Sequence, residues 1–265
     1  MKYRMPAVAG TFYSSDTNDL KAELVCLFDD ASAANTGSNI VPKALIVPHA
    51  GYCYSGAIAA SAFAYLKNLS NTIQSVILLG PSHQVALRGC AVPSHDFFTT
   101  PLGNIPVDKN GCQELLNQDL ASLSDKAHLW EHALEVQLPF LQTCLSDFTL
   151  LPIVVGYCEP NVVSDILSTF AQRSGTVIVV STDLSHYHSY REAQIIDDHS
   201  IDKIKKLAPT LKPEEACGCY ALNGLLQFCR DQHLQMSLVK QANSGDSFSG
   251  SDKNKVVGYA SFIVH

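Results

Sequence analysis

The sequence predicts an α/β protein, a central, largely parallel or mixed β-sheet flanked by helices, and two observations carry that prediction. Four short apolar runs rich in Val, Ile and Leu, at residues 43–47, 75–79, 148–155 and 176–180, are nearly continuous rather than alternating, the pattern of strands buried on both faces. Helical patterns at residues 55–69, 131–145 and 161–172 lie between them, so strand and helix alternate as in right-handed βαβ crossovers. A chain of 265 residues, 46% hydrophobic and 16% charged, suits one globular domain spanning 1–265.

Taken in order, residues 31–39 are rich in Ala, Ser, Asn and Gly and read as a surface loop ahead of the first strand. Pro48 and Pro81 cannot donate to a ladder, so each is expected to end pairing just after a strand, and Gly51 and Gly80 would allow tight turns there. Asn161 or an adjacent polar residue can cap the third helix. Residues 191–207 form a longer, more polar pattern suited to a surface helix. A last helix over 214–230, started by Pro213, precedes two candidate strands at 235–241 and 255–264 across a Gly/Ser/Asp-rich loop, read as antiparallel additions to the sheet. There is no internal repeat.

Several function classes are disfavoured at this level. The net charge of -7, with no run of Lys or Arg, would repel a phosphate backbone, so nucleic acid is not an expected partner. No stretch reaches the roughly 18 apolar residues of a membrane span, and Met1-Lys-Tyr-Arg-Met-Pro6 lacks the apolar block of a signal peptide; no membrane association and a cytoplasmic location are expected. Nine cysteines, odd in number, scattered and never spaced C-x-x-C, read as reduced thiols.

The chemistry gathers where three apolar strands run into polar residues: Pro48-His49-Ala50-Gly51, Gly80-Pro81-Ser82-His83 and Ser181-Thr-Asp183-Leu-Ser-His186. Side chains at the carboxyl ends of parallel strands share one sheet edge, so these sequence-distant groups are expected to converge on a crevice. Two readings stay open on spacing alone. His49 and His83 can supply neutral imidazole nitrogens to a metal with a third, anionic ligand, or each can be a turn residue. Asp183 can hold His186 basic for proton transfer, or cap a turn.

Val47-Pro-His-Ala-Gly-Tyr-Cys-Tyr54, Leu79-Gly-Pro-Ser-His83, Glu131-His-Ala-Leu-Glu135 and Ser181-Thr-Asp-Leu-Ser-His186 resemble the motifs of the Memo family. The match is colinear from Pro6-Ala-Val-Ala-Gly-Thr-Phe-Tyr13, through Cys217-Gly218, to Tyr259-Ala-Ser-Phe-Ile-Val-His265. Bacterial and archaeal members are called AmmeMemoRadiSam system protein B, and their fold is similar to class III extradiol ring-cleaving dioxygenases. The resemblance implies one metal ion held by His49, His83 and Cys217, with Asp183 and His186 as catalytic residues beside it and Tyr54 and His132 facing the substrate pocket. Iron(II) or copper is the occupant the resemblance favours, with zinc open, and the thiolate, softer than a carboxylate, makes copper(I) or zinc more plausible than in a two-histidine, one-carboxylate site. It further implies a metal-dependent oxidoreductase or dioxygenase-like enzyme on a small molecule. A zinc-type hydrolase and a non-catalytic protein binding a peptide or partner are the alternatives, and the bacterial name implies a functional link to AMMECR-type and radical SAM proteins. Cys219, two residues beyond Cys217, is the rival thiol and reads as a small buried apolar residue.

Overall fold

Chains whose apolar runs are buried on both faces must satisfy their backbone by pairing the runs with one another, and this chain does so. The computed structural model describes residues 1–34, 40–248 and 250–265. Its first third comprises β1 (Tyr3–Arg4), α1 (Thr17–Ala34), β2 (Ala44–Val47), α2 (Tyr52–Phe63) extended by a 3-10 turn, and β3 (Ser75–Pro81). There follow β4 (Cys90–Val92), β5 (Phe97–Thr100), β6 (Gly103–Pro106), α3 (Lys109–Asn117), β7 (Ser122–Leu123), α4 (Asp125–Leu129), α5 (His132–Glu135) and α6 (Leu138–Cys144). The remainder is β8 (Thr149–Val155), α7 (Pro160–Phe170), β9 (Thr176–Ser181), β10 (His186–His188), α8 (Tyr190–Lys205), α9 (Cys219–Asp231), β11 (Met236–Asn243) and β12 (Val256–Val264).

β2, β9, β3 and β8 lie side by side in that order, all parallel, with Val47 opposite Ser181 and Leu79 opposite Val180. Their carboxyl ends therefore share one edge. β12 joins antiparallel to β2, β11 antiparallel to β12, and β4 antiparallel to β8, so the sheet is mixed with a parallel centre. After β9 the chain turns toward β12: Leu184 N donates to the Gly258 carbonyl at 2.8 Å and Gly258 N donates to the Ser185 carbonyl at 2.8 Å. Among the described residues, no helix is long and apolar enough to cross a membrane.

Several sequence expectations are corrected. The helix expected over 131–145 is two, α5 and α6, because Pro139 lacks an N–H and sits in the first turn of α6, where that donor is not needed. The helix expected from 214 starts at Cys219, since the Cys217 N–H bonds the Asp183 carbonyl at 3.2 Å and holds the preceding turn off the helix. α7 begins at Pro160 rather than behind an Asn161 cap, and no side-chain cap bond forms there. The loop expected over 31–39 is helical to Ala34, the end of α1, and its remainder, 35–39, lies outside the described residues.

Gly80 and Pro81 make no turn. Both lie inside β3, opposite Val154 and Val155. A Cβ on Gly80 would stand 2.9 Å from Leu134 Cδ2 and 3.2 Å from Ala133 Cβ, so this glycine serves to let α5 lie directly on the strand. Gly51, at φ -55°, is the N-cap position of α2.

A buried ion pair locks the N-terminal segment to α5. Glu135, wholly inaccessible, accepts from Arg4 Nη1, Ala7 N at 2.7 Å, Val8 N at 2.9 Å and Tyr13 Oη at 2.7 Å. Arg4 also donates to the carbonyls of His128 (3.1 Å) and Glu131 (2.6 Å), so each guanidinium nitrogen and both Glu135 oxygens are hydrogen-bonded. Removing one partner strands the other in a dry interior. Arg4→Met is expected to lose about 3–5 kcal/mol of unfolding free energy in urea titration, and a loss under about 1 kcal/mol would contradict this account.

Candidate metal centre

The backbone at the carboxyl edge places each side chain. Pro48 follows the last paired residue of β2, and the next N–H, that of His49, donates to Asp183 Oδ1 at 2.7 Å. The His49 ring is buried, with Nδ1 2.9 Å from Ser181 Oγ. Ser181 donates its single hydroxyl hydrogen to the Ala133 carbonyl at 2.7 Å and accepts from Gln137 Nε2 at 2.9 Å. Its oxygen can therefore only accept from His49, which puts the ring hydrogen on Nδ1 and leaves a lone pair on Nε2.

The same reasoning applies to the other rings. His83 Nδ1 lies 2.8 Å from the carboxylate of Glu131, and His186 Nδ1 lies 2.8 Å from the Leu184 carbonyl. Both partners are acceptors, so in both rings Nδ1 carries a hydrogen, and in the neutral form of each ring the lone pair falls on Nε2. His132 opens α5 and stacks on His83, ring centres 4.7 Å apart and planes 19° from parallel. The His49 ring meets His83 at 5.2 Å and His132 at 5.4 Å, nearly edge-on to both.

One ligand atom from each of His49, His83 and His132 lies within 4.8 Å of the other two, a donor set that could hold a metal ion. Burial, and then the neighbouring histidines, push the His49 pKa well below its ordinary value, and burial also lowers His132 and His186. These rings are consequently neutral at pH 7, as metal donors must be. Cys217 Sγ stands 3.3 Å from His49 Nε2 and accepts the Asp183 N–H at 3.2 Å; burial pushes its thiol far up, so without a cation it is protonated. Asp183 is raised to about 7 by burial, partly opposed by bonds from the His49 and Ala50 N–H groups. Burial also works to raise Glu131, but bonds from His83 and Ala133 outweigh it and hold this carboxyl below its usual range.

All seven sequence-predicted residues line one cleft of about 770 Å³: His49, His83, Cys217, Asp183, His186, Tyr54 and His132. His132 sits within the imidazole cluster and Tyr54 at the exposed rim, its ring 5.9 Å from Phe248. The expected pairing of Asp183 with His186 is replaced by other bonds, since Asp183 takes the His49 and Ala50 N–H groups while His186 bonds Leu184. Cys219 is buried at the start of α9, away from the cleft lining. Sequence reasoning missed Glu131, Ser181 and Gln137, the groups behind the rings, and Phe12, which packs 4.9 Å from His132. Only Glu131, beside a histidine, left a local trace, and it matched an ordinary first-turn glutamate.

Comparison with known proteins agrees with this geometry. The family model described as Memo-like protein matches residues 4–263. A MEMO1 family protein of Metallosphaera sedula is 33% identical over 277 residues, covering 97% of each chain, and one of Aquifex aeolicus is 38% identical over 213 residues, covering 78% of this chain and 76% of its own. Among solved structures, the uncharacterised protein JW3007 of Escherichia coli K12 shares the fold at a TM-score of 0.51 with 11% identity, covering 84% of this chain and 100% of its own. With its sequence motifs, its sheet and its histidine cluster now in one frame, the chain belongs to the Memo-like protein family.

Proposed function

We propose that the protein is a metal-dependent enzyme of the oxidoreductase, dioxygenase-like type, acting on a small molecule or a peptide group held in the cleft. The observation that carries this is the convergence of three imidazoles, with ligand atoms within 4.8 Å, in a cleft that also holds Cys217, Asp183 and His186. His49 and His83 would hold the ion with His132 or Cys217. Iron(II) or copper, the favoured occupants, would supply redox and Lewis-acid chemistry when bound, and zinc suits the same nitrogens.

The chain's own residues handle binding and protons. His186 is neutral near pH 7, fixed through Nδ1, and leaves Nε2 to take a proton from a ligand in the cleft. Asp183, near its own midpoint at neutral pH, can release a proton when positive charge arrives beside it. Tyr54 and Phe248 give the mouth two aromatic faces for the apolar body of a ligand.

Protein purified anaerobically with reductant and no added metal is expected to carry iron, copper or zinc by elemental analysis. His49→Ala should lose more than about 100-fold in metal affinity, the upper range for a change one bond further out, while His186→Ala keeps its metal. Metal-free wild type that takes up none of the three ions on reconstitution would end the metal reading. Cys217→Ser is expected to lose copper(I) selectively and keep zinc on the imidazoles; equal loss of both would make the thiolate an obligatory ligand.

A pH test addresses Asp183 in metal-free protein. Its folded pKa is raised from 3.8 to about 7, so folding binds the proton more tightly than the unfolded chain does. The stability this contributes is complete below the unfolded value and fades as pH rises through the folded one. Wild type is therefore expected to lose stability relative to Asp183→Asn between about pH 4 and 7 and to run parallel above, in denaturation curves taken across that range. A constant difference would show that the carboxyl is not held protonated.

A further inference from the structure

A metal takes only an unprotonated ring nitrogen, so whatever fixes a histidine's tautomer decides whether the ring is a ligand at all. For one of the three clustered rings that place is taken by a residue that also approaches a second. Glu131, 1% exposed, accepts the backbone N–H of His83 on Oε2 at 2.6 Å and the His83 ring Nδ1 on Oε1 at 2.8 Å. Held at both backbone and ring, His83 has little freedom to turn. The same Oε1 lies 3.5 Å from His132 Nδ1 and accepts the Ala133 N–H at 2.9 Å, so the stacked pair is braced from one oxygen.

The charge balance points the same way. Arg4, a buried cation, gives Glu131 only a bond to its backbone carbonyl and pairs instead with Glu135. Among the described residues, the Glu131 carboxylate has no Lys or Arg partner; its ion-pair contacts are His83 and His132 alone. Its other bonds come from the backbone N–H groups of His83 and Ala133, so the charge it presents to the rings is not cancelled by a cationic side chain.

We propose that Glu131 is the positioning residue of this centre, a single buried carboxylate that fixes the ring orientation and Nδ1–H tautomer of His83, braces His132 stacked upon it, and supplies the negative charge against which a divalent cation is held. The inference deepens the metal reading and rests on it for the cation, though not for the ring orientation. The carboxylate is absent from the ligand set; it acts through the imidazoles.

The test uses the full chain and two readouts. In metal-free wild type, long-range 15N–1H correlations of the histidine rings are expected to show His83 as the Nδ1–H tautomer, and in Glu131→Gln a shift toward Nε2–H or a mixture. Zinc affinity, measured by chelator competition, is expected to fall 10- to 100-fold in Glu131→Gln, and Glu131→Asp, which keeps the charge, to recover part of it. An Nε2–H tautomer in wild type overturns the proposal, as does a folded Glu131→Gln that binds zinc as tightly as wild type. If Glu131→Gln does not fold, the wild-type tautomer and the Asp variant still decide. Wild type that shows the Nδ1–H tautomer yet binds neither zinc, iron(II) nor copper(I) refutes the cation role and the metal reading together, and supports the orienting role.

Discussion

The buried pair of Arg4 and Glu135 is the constraint on which the site depends. Residues 131 positions apart in sequence meet without water, and Glu135 collects donors from four residues of the N-terminal segment. Because Arg4 also bonds the carbonyls of His128 and Glu131, the short turn into α5 is held at its backbone. That turn presents Glu131 and His132. The same N-terminal segment sets the opposite wall: the Phe12 carbonyl accepts the Tyr52 N–H at 2.8 Å at the start of α2, while the Phe12 ring lies against His132. Two walls of the cleft are thus registered to one another through an interaction that touches neither metal ligand nor substrate.

The parallel heart of the sheet was legible because strands buried on both faces need short, unbroken apolar runs rich in β-branched residues. The histidines were legible because the runs end at them. What escaped detection lacked such a signature. β1, β5 and β6 form a small separate sheet from segments such as Gly103–Pro106, exposed along most of its length, where no apolar pattern is required. Gly80 was read as a turn because glycine has two uses, freedom of φ and absence of a Cβ, and the sequence does not say which; the atoms that decide it belong to residues 133 and 134. Glu131 and Glu135 posed the same difficulty. Each is an ordinary helix-start or helix-end residue locally, and each acquires its role from a partner 48 or more residues away.

The electrostatics describe a site ready in its nitrogens and not in its sulfur. His49 is neutral with its Nε2 lone pair facing the Cys217 sulfur 3.3 Å away, whereas burial keeps the Cys217 thiol protonated and Asp183 close to half-protonated at neutral pH. A cation held there would lower the cost of the charged forms and so link its capture to the release of protons. Hard and soft ions would then differ in how much of the donor set they engage.

The Ser181 hydroxyl, hydrogen-bonded at once to His49, Gln137 and the Ala133 carbonyl, belongs to a paired residue at the end of β9. The cage is in this way an outgrowth of the sheet and not of the ion. In small zinc modules the metal is the core, and chelation unfolds them. Here the core is the sheet, and the His49 and His83 rings are tied to it through Ser181 and Glu131 by hydrogen bonds in which no ion takes part. On the metal reading proposed above, an ion would enter rings already oriented by the sheet, and its exchange would require no cycle of folding.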